Sequence, residues 1–346
     1  MHNDKNYRLD GVIKLQSPLS HIGESVGIDS YLSTDVIISQ SGQPVECFVY
    51  SGNAFRGILR DCAASYMLER MGGMKIPLDA FYLLFSGGSL GGTQSVDIDQ
   101  ARMYRRAIPM LSIWGGGVGN QILPGKLRMG SMYPICEETS MIIPEKFQMQ
   151  NAPSWKRMSF EKSFTRMDDE KNDNKRVYLL EGKSEDANIA IESGRMIQGE
   201  MVFEAEETER PAVKKKPPKK DSDGPAQQMR YTVEMMAAGT MLYQRIDLSA
   251  ISEVELGAFV SALIKFSDAP YIGGKSGTGH GLVDAEYHWL NDEKEEVFVS
   301  LSKNDMHLSE AANSAKRAYD TQILESYNEY LENNQSEITA ALGAGK

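Results

Sequence analysis

The segment from Gly273 to Gly281, GGKSGTGHG, constrains the fold more than any other part of the chain. It has five glycines, and glycine is used where the backbone needs positive φ or a very close approach to another group. The segment follows a helical pattern at 253–266 and precedes a strand pattern at 281–290. Such a loop can present backbone N–H groups to a phosphate with no side chains in the way.

The letters GKS at 274–276 match the end of a P-loop, but the rest of that motif is missing. Ala269 stands where the first glycine of the motif belongs. A P-loop also runs from strand to helix, whereas this segment runs from helix to strand. A nucleotide-binding enzyme that uses the loop is therefore one hypothesis. A glycine-rich turn without a ligand is the plain structural alternative.

Composition restricts the class of protein. The net charge of −11 over 346 residues argues against non-specific nucleic-acid binding but leaves room for a local basic groove. No apolar run is long enough to span a membrane and the N-terminus is polar, so we expect a cytoplasmic protein without a membrane partner. Cys47, Cys62 and Cys136 have no metal-ligand spacing and the histidines are scattered, so we expect a reducing compartment, no metal and no cofactor.

The order of the periodic segments indicates the fold class. Alternating apolar residues at 7–15 predict a strand, and helical spacing predicts helices at 51–71 and 253–266. The order of elements is strand, helix, strands, a long insertion, helix and strand. This order favours an α+β fold with an RRM or ferredoxin-like core. We divide the chain into this core over 1–290, with insertions at about 72–130 (finger- or lid-like) and 150–245, and an acidic helical segment over 291–346.

Less regular stretches give weaker predictions. Residues 17–35 are expected to form a loop, Ile108–Trp114 an apolar strand, and 150–195 an exposed polar excursion. Residues 195–245 are expected to form a β-hairpin. Its tip at 210–228 is rich in lysine and proline and is predicted to be disordered.

Three motifs in a fixed order resemble a known family. They are SPLSHIGES at 17–25, SGNAFRGILRD at 51–61 and the glycine segment at 273–281. Together they resemble the RAMP superfamily of CRISPR-associated proteins, in particular the Cas-seven-like backbone subunits and most of all the type IV backbone subunit. The resemblance covers about residues 7–290 in ordered pieces.

The resemblance implies an RRM-like core with a β-hairpin thumb. It also implies a subunit that binds CRISPR guide RNA, polymerises along the spacer part of the guide and shapes the guide–target duplex. The implied partners are guide RNA, a target nucleic acid with DNA favoured over RNA, further copies of the chain, other effector subunits and an accessory helicase.

Guide RNA is held mainly through its phosphates, which calls for cations, helix N-termini and backbone amides. An ordinary capped surface helix is the alternative for the 51–61 motif, and a satisfied turn is the alternative for His21. The candidate RNA contacts are His21, Ser51, Asn53, Arg56, Arg60, Gly273, Gly274, Lys275, Ser276, Gly277, Gly279 and His280.

In the family the thumb wedges into the guide–target duplex. Apolar residues of the predicted hairpin are candidate wedges, and plain strand core is the alternative for each of them. These candidates are Met196, Phe203, Met235 and Met236. Arginines that could line the groove are Arg102, Arg105, Arg106, Arg157 and Arg166.

The resemblance also raises the question of catalysis. Type III relatives cut target RNA with an aspartate in the first long loop, where this chain has Asp29 and Asp35. Metal-assisted cleavage needs a carboxylate at the kinked phosphate, but an aspartate in a polar loop is more often a turn former or cap. The type IV likeness implies a non-catalytic subunit, and a metal-dependent ribonuclease that uses either aspartate is the alternative.

Overall fold

Alternating apolar residues near the start of the chain form the central strand of the main sheet in the computed structural model of the protein. Leu9, Gly11, Ile13 and Leu15 are buried on one face, and the residues that alternate with them are partly or fully exposed. The strand runs over Lys5–Leu15. The strand predicted at 7–15 is therefore confirmed.

Contacts divide the chain into two units. One consists of Met1–Lys162 with Thr232–Lys346, and the other of Ser163–Tyr231. Everything described below belongs to the first unit, apart from the strand ends at 163–166 and 229–231. The structure describes residues 4–88, 98–118, 121–166, 229–291 and 294–333.

The elements are numbered in chain order. The strands are β1 (Lys5–Leu15), β2 (Ile22–Val26), β3 (Asp29–Leu32), β4 (Thr34–Ile38), β5 (Pro44–Phe48), β6 (Gly116–Val118), β7 (Gln121–Leu123), β8 (Leu127–Met129), β9 (Tyr133–Pro134), β10 (Ser159–Arg166), β11 (Met229–Met236), β12 (Met241–Ile251), β13 (Val283–Asn291), β14 (Lys294–Ser302) and β15 (Asp305–Leu308). The helices are α1 (Gly52–Arg70), α2 (Leu78–Phe81), α3 (Ile98–Ala107), α4 (Pro109–Trp114), α5 (Glu253–Ser267) and α6 (Glu310–Asn333), with a π-helical turn at Tyr82–Ser86 and 3₁₀ turns at Glu145–Phe147, Trp155–Met158 and Ser276–Thr278.

The main sheet has the order β15-β14-β13-β1-β12-β8, and β9 also pairs with β12. Neighbouring strands are antiparallel throughout. Strands β13-β1-β12-β8 have the 4-1-3-2 order of a βαββαβ unit, in which α1 follows β1 and α5 follows β12. The α+β class with an RRM-like core is therefore confirmed.

Helices α1 and α5 pack against each other over the sheet. The ring of Phe55 on α1 meets the ring of Phe266 on α5 edge-on at 5.3 Å. Helix α5 begins at a capping box in which Ser252 and Glu255 satisfy each other's backbone N–H groups. The two helices predicted from apolar spacing are thus confirmed. Of the helices in the described ranges, none is both long and apolar enough to cross a membrane.

The C-terminal helix α6 covers the outer side of α5. Tyr319 on α6 is fully buried and stacks on Tyr66 of α1 at 6.5 Å. The closest backbone approach is at Gly257, where an added Cβ would lie 2.1 Å from the carbonyl oxygen of Ala315. Only glycine allows this distance between the two helices.

A second sheet has the order β10-β11-β3-β2. It joins the core through an isolated bridge between Leu19 and Met236. The backbone N–H of Ala237 donates to the carbonyl of Met158 at 2.7 Å, so β10 and β11 form the base of a hairpin. The first arm of the hairpin is therefore β10, which lies earlier in the chain than the arm predicted near residue 195. The predicted arm near 195 and the tip at 210–228 lie outside the described residues.

Several sequence predictions of local structure were wrong. Residues 17–35 are not a plain loop, because they include β2, which is exposed throughout, and β3, in which only Leu32 is buried, so neither strand shows the usual alternation. Residues 108–114 form helix α4 rather than a strand. Pro109 occupies its first position, where the fixed φ of proline suits a helix, and complete burial removes any periodic signal.

Two further stretches also differ from the prediction. The excursion predicted from residue 150 begins instead with a 3₁₀ turn and β10, and Trp155 is fully buried with its indole N–H donating to the carbonyl of Glu46 at 2.8 Å. The segment after residue 290 begins with β14 and β15, which extend the main sheet, before α6 starts.

Glycine-to-alanine exchanges in the two core helices should have opposite effects. Gly257→Ala should lower the free energy of unfolding by about 1–3 kcal/mol, because the new methyl group meets backbone that cannot move cheaply. Gly57→Ala is the matched control on α1, since nothing lies within 4 Å of its Cβ position, and it should stabilise by up to about 1 kcal/mol. Urea unfolding monitored by circular dichroism measures both. Equal effects would contradict the close α5–α6 contact.

Candidate nucleic-acid interface

The glycine loop at 273–281 follows an unusual backbone path. Lys275 and Gly279 flank its 3₁₀ turn, both with left-handed φ, at 64° and 80°. Gly281 has φ of 83°, and a Cβ there would lie 1.9 Å from the carbonyl oxygen of Ile272. The tip at 276–279 is exposed to solvent.

The loop is paired along its length with the first motif. The backbone N–H of Gly274 donates to the carbonyl of Ser20 at 2.7 Å, and that of Gly281 donates to the carbonyl of Pro18 at 2.8 Å. A Cβ on Gly273 would lie 2.4 Å from the Ser20 carbonyl oxygen, so this pairing also requires glycine. Two motifs more than 250 residues apart in sequence are therefore adjacent.

The start of α1 joins the same place. The backbone N–H of Ser51 donates to Nε2 of His21 at 3.3 Å. The His21 ring packs against Tyr50 at 4.4 Å, and the Tyr50 hydroxyl accepts from the backbone N–H of Gly273 at 3.2 Å. All three sequence motifs thus converge on one surface, which we call the three-motif site (residues 17–21, 50–53 and 273–281).

The electrostatics of the three-motif site favour an anion. Ser51 is the N-cap of α1 but its side chain makes no capping hydrogen bond, and the first turn carries no acidic residue. The positive end of a 19-residue helix is therefore not neutralised locally. Lys275 and Lys162 both act on His280: the pKa of this ring is lowered by burial first and by the two lysine charges second.

His21 and Ser20 are the polar groups beneath the surface. Burial lowers the pKa of His21, which keeps the imidazole neutral and able to accept from Ser51. Ser20 is fully buried, and within the described ranges its hydroxyl oxygen has no hydrogen-bond partner. A buried hydroxyl without a hydrogen-bond partner costs folding free energy, and a further group that forms a hydrogen bond with it would remove that cost.

The predicted residues of the second motif divide into two groups. Ser51 and Asn53 stand at the start of α1, and Asn53 is exposed. Arg56 and Arg60 instead face inward toward the chain after α4. The guanidinium of Arg56 donates to the carbonyl of Trp114, and the indole N–H of Trp114 donates back to the carbonyl of Arg56 at 3.2 Å.

Arg60 is a buried cation that binds backbone. Only 7% of it is exposed, and it donates to the carbonyls of Leu84 at 2.7 Å, Gly115 at 2.7 Å and Leu83 at 3.1 Å. Burial, and then the charge of Arg56, lower its pKa to about 10, which still leaves it charged at neutral pH. Its hydrogen bonds hold the π-helical turn at 82–86 and the end of α4 against α1.

Other predicted residues lie away from the three-motif site or are buried. Met235 and Met236 are fully buried in β11 and pack as strand core, so neither can reach a duplex in this conformation. Met196 and Phe203 lie outside the described residues. Arg102 pairs with Asp99 at 3.4 Å, and Arg105 donates to the carbonyl of Pro124. Arg106 and Arg157 are exposed, and only the backbone of Arg166 is described.

The two candidate catalytic aspartates occupy strands. Asp29 begins β3, paired with Val26 and Thr232, and Asp35 lies on β4 and accepts from the Tyr133 hydroxyl at 3.1 Å. In the described part of the chain, no three histidine, cysteine, aspartate or glutamate side chains come together as metal ligands would. Both aspartates thus have structural partners, and neither is placed beside the three-motif site by any described contact.

Sequence reasoning missed three members of the three-motif site and its surroundings. Ser20 lies inside the first motif, next to His21, and Tyr50 directly precedes Ser51, the first residue of the second motif, so both were within reach of the motif analysis. Lys162 lies in a stretch interpreted as a polar excursion, and no local pattern connects it to the loop.

Comparison with known proteins supports the fold. A solved structure titled "Type IV-B CRISPR Complex" contains a chain that superposes with a TM-score of 0.52 and 18% identity. The match covers 81% of this protein and 90% of that chain. No family model matches the sequence, and no curated protein matches it either. The likeness at this identity establishes a shared fold.

Replacing Arg60 with lysine should destabilise the protein. A lysine cannot serve three diverging carbonyls, so buried acceptors lose partners, and we expect a loss of about 2 kcal/mol. Arg102→Lys on exposed α3 is the control and should stay within about 0.5 kcal/mol of wild type. Chemical unfolding measures both variants. An Arg60→Lys protein with unchanged stability but weakened RNA binding would contradict the structural role and indicate that Arg60 contacts RNA.

Acidification should weaken the contact between His21 and Ser51. The pKa of His21 is lower in the fold than in the unfolded chain, so its contribution is complete above about pH 6.5 and is lost as pH falls through the folded value. His21→Gln should therefore lose less stability than wild type between about pH 7 and pH 5. His307→Gln is the matched exposed substitution. Unfolding at a series of pH values tests this, and an equal slope in wild type and His21→Gln would contradict it.

Proposed function

We propose that this protein is a guide-RNA-binding backbone subunit of a CRISPR effector complex. In this proposal it polymerises along the spacer part of the guide, shapes the guide–target duplex and has no catalytic role of its own. The observation that carries the proposal is the convergence of the three motifs, which brings the tip of the glycine loop, the N-terminus of α1 and Lys275 together on one surface.

The chemistry of the three-motif site suits a ribose–phosphate backbone. Phosphate oxygens accept from backbone N–H groups and from helix N-termini, without regard to base identity. A subunit that leaves sequence recognition to base pairing needs this type of contact. At the exposed tip, the backbone N–H groups of Ser276 and Gly277 and the side chain of Lys275 are donors that a passing strand can reach. The N–H groups of Thr278 and Gly279 instead donate to carbonyls within the loop.

The shared fold supports the same proposal. The solved chain of similar fold belongs to a structure titled as a type IV-B CRISPR complex, and the alignment covers most of both chains. We propose by analogy that the partners are guide RNA, target DNA, further copies of this chain, other effector subunits and an accessory helicase. The proposed setting is the cytoplasm, where such complexes would meet invading nucleic acid.

The structure refines which residues we assign to RNA. Lys275, Ser276, Gly277 and Gly279 form the reachable tip of the loop. Gly273 and Gly274 position that tip on the Ser20 segment, while buried His280 supports it from below. On the helix side we retain His21, Ser51 and Asn53, and we assign Arg56 and Arg60 to structural support. Lys162 is added because its charge acts on His280.

The paired arms β10 and β11 lead out of the core beside this surface segment. Leu19, just before Ser20, bridges to Met236 at the end of β11. We propose that these arms are the base of the thumb that separates the guide–target duplex into intervals. Phe160 on β10 is 39% exposed and is an apolar side chain on that base that a nucleotide could stack on.

Reconstitution tests the proposal directly. Expressed with a repeat–spacer RNA and partner subunits, the protein should purify as a large ribonucleoprotein in which the bound subunits protect the guide from ribonuclease at even intervals. Purified RNA-free protein from the same expression, folded by circular dichroism, would contradict the proposal. A complex that assembles but also cuts target RNA, with cutting lost in Asp29→Ala or Asp35→Ala, would support the ribonuclease alternative.

Lys275→Ala should weaken RNA binding through one phosphate contact. We expect roughly a five- to tenfold loss of affinity and a salt dependence shallower by about 0.7 in log–log slope. Lys303→Ala is the matched control, an exposed lysine in the turn between β14 and β15, and should leave both quantities unchanged. Fluorescence anisotropy with labelled RNA at several salt concentrations measures them. Saturable ATP binding that Lys275→Ala abolishes would favour the nucleotide-binding alternative instead.

A further inference from the structure

Two of the three cysteines lie side by side in the interior. Cys47 is on β5 and Cys136 follows β9, 89 residues later, and their sulfur atoms are 3.9 Å apart. Both are free thiols and both are buried. No sequence pattern indicates this pairing, because the two residues are far apart in the chain.

The surroundings of Cys136 act on its thiol in opposite directions, because the contact with Cys47 lowers its pKa while burial and the Glu138 side chain raise it. The Thr139 hydroxyl is 3.4 Å from the Cys136 sulfur, but it has one proton, and its shortest contact, 2.6 Å, is with the Pro134 carbonyl. Either sulfur could donate in the contact between Cys47 and Cys136, and donation from the Cys47 thiol is the direction that assists a Cys136 thiolate. This hydrogen bond lowers the pKa of Cys136 against the effect of burial, and it raises the pKa of Cys47.

A cavity adjoins this pair. Its volume is about 270 Å³, and Cys136 and Thr139 are among its lining residues, together with polar Gln40, Gln148 and Asn151. A space of that size is ample for a molecule as small as hydrogen peroxide. Cys62 offers a contrast within the same chain, because burial raises its pKa to about 12 and it has no cysteine neighbour among the described contacts.

We propose that Cys47 and Cys136 form a peroxide-reactive dithiol, in which Cys136 is the attacking sulfur and Cys47 the resolving one. The thiolate of Cys136 attacks one oxygen of a hydroperoxide, the O–O bond breaks, and a sulfenic acid and hydroxide form. Cys47 then attacks the Cys136 sulfur as its thiol proton leaves, the S–O bond breaks, and water departs with a disulfide formed. In total, two thiols and one hydrogen peroxide give one disulfide and two waters.

Closure of the disulfide requires the two side chains to move toward each other. The two sulfurs must approach from 3.9 Å to a bond length of about 2.05 Å. The new bond would attach β5 to the turn that holds Thr139. Because β5 leads within three residues to Tyr50 and the start of α1, oxidation would fix one edge of the three-motif site. The reaction itself does not depend on the proposed RNA-binding function.

The test uses the full-length protein and hydrogen peroxide. After brief exposure, wild type should lose about 2 Da and two titratable thiols, and peptide mapping should place the disulfide between Cys47 and Cys136. Cys47→Ala removes the resolving thiol, so dimedone should label Cys136 as a sulfenic acid. Cys62→Ser is the matched control and should form the same disulfide at the wild-type rate. Cys136 should react at least about tenfold faster than Cys62.

Two outcomes would overturn the proposal. One is a folded wild type that keeps all three thiols under peroxide or becomes oxidised first at Cys62. The other is a disulfide between two copies of the chain, seen as a dimer under non-reducing conditions. Circular dichroism of each variant before exposure establishes that folded protein is compared, and a reducing agent should restore the original mass and thiol count.

Discussion

The pairing of the glycine loop with the segment after β1 is the interaction on which the rest of the three-motif site depends. Two backbone hydrogen bonds, from Gly274 to Ser20 and from Gly281 to Pro18, place the loop against residues that emerge from the central strand. Because His21 follows Ser20 directly, the same contact positions the imidazole that accepts the hydrogen bond from the backbone N–H of Ser51, the N-cap of α1. A side chain at 273 or 281 would collide with backbone at less than 2.5 Å, so the glycines are required by space and not only by flexibility.

How much the sequence predicts depends on the periodicity of each element. The strand at β1 and the helices α1 and α5 each bury one face, so their spacing identified them, and their order led to the RRM-like core. Helix α4 is buried on all sides and therefore reads as an apolar run without a period, which is how it was mistaken for a strand. Spacing along α1 placed Arg56 and Arg60 on a common face correctly, but it cannot tell whether that face meets solvent or a set of carbonyl oxygens.

The buried arginines change where cationic charge is available. In a chain with a net charge of −11, two cations of the second motif are occupied in holding the π-helical turn and the end of α4. These hydrogen bonds satisfy carbonyls at helix ends that would otherwise be left without donors. What faces the proposed RNA path is then the N-terminus of α1 and the N–H groups of Ser276 and Gly277 at the loop tip, supplemented by Lys275 and Lys162. Dipoles held in place by the backbone need no reorganisation when an anion arrives.

A site built from main-chain donors leaves few marks in the sequence. Every residue except proline has a backbone N–H group. The surface at 273–281 therefore requires glycine only where a side chain would collide with neighbouring atoms. Other residues fit elsewhere, as at Gly277, around which there is open space. Two proteins can therefore preserve such a surface while nearly all of their residues drift apart. A common fold at 18% identity is compatible with this tolerance. In a surface of this kind the course of the backbone is constrained more tightly than the identity of the side chains.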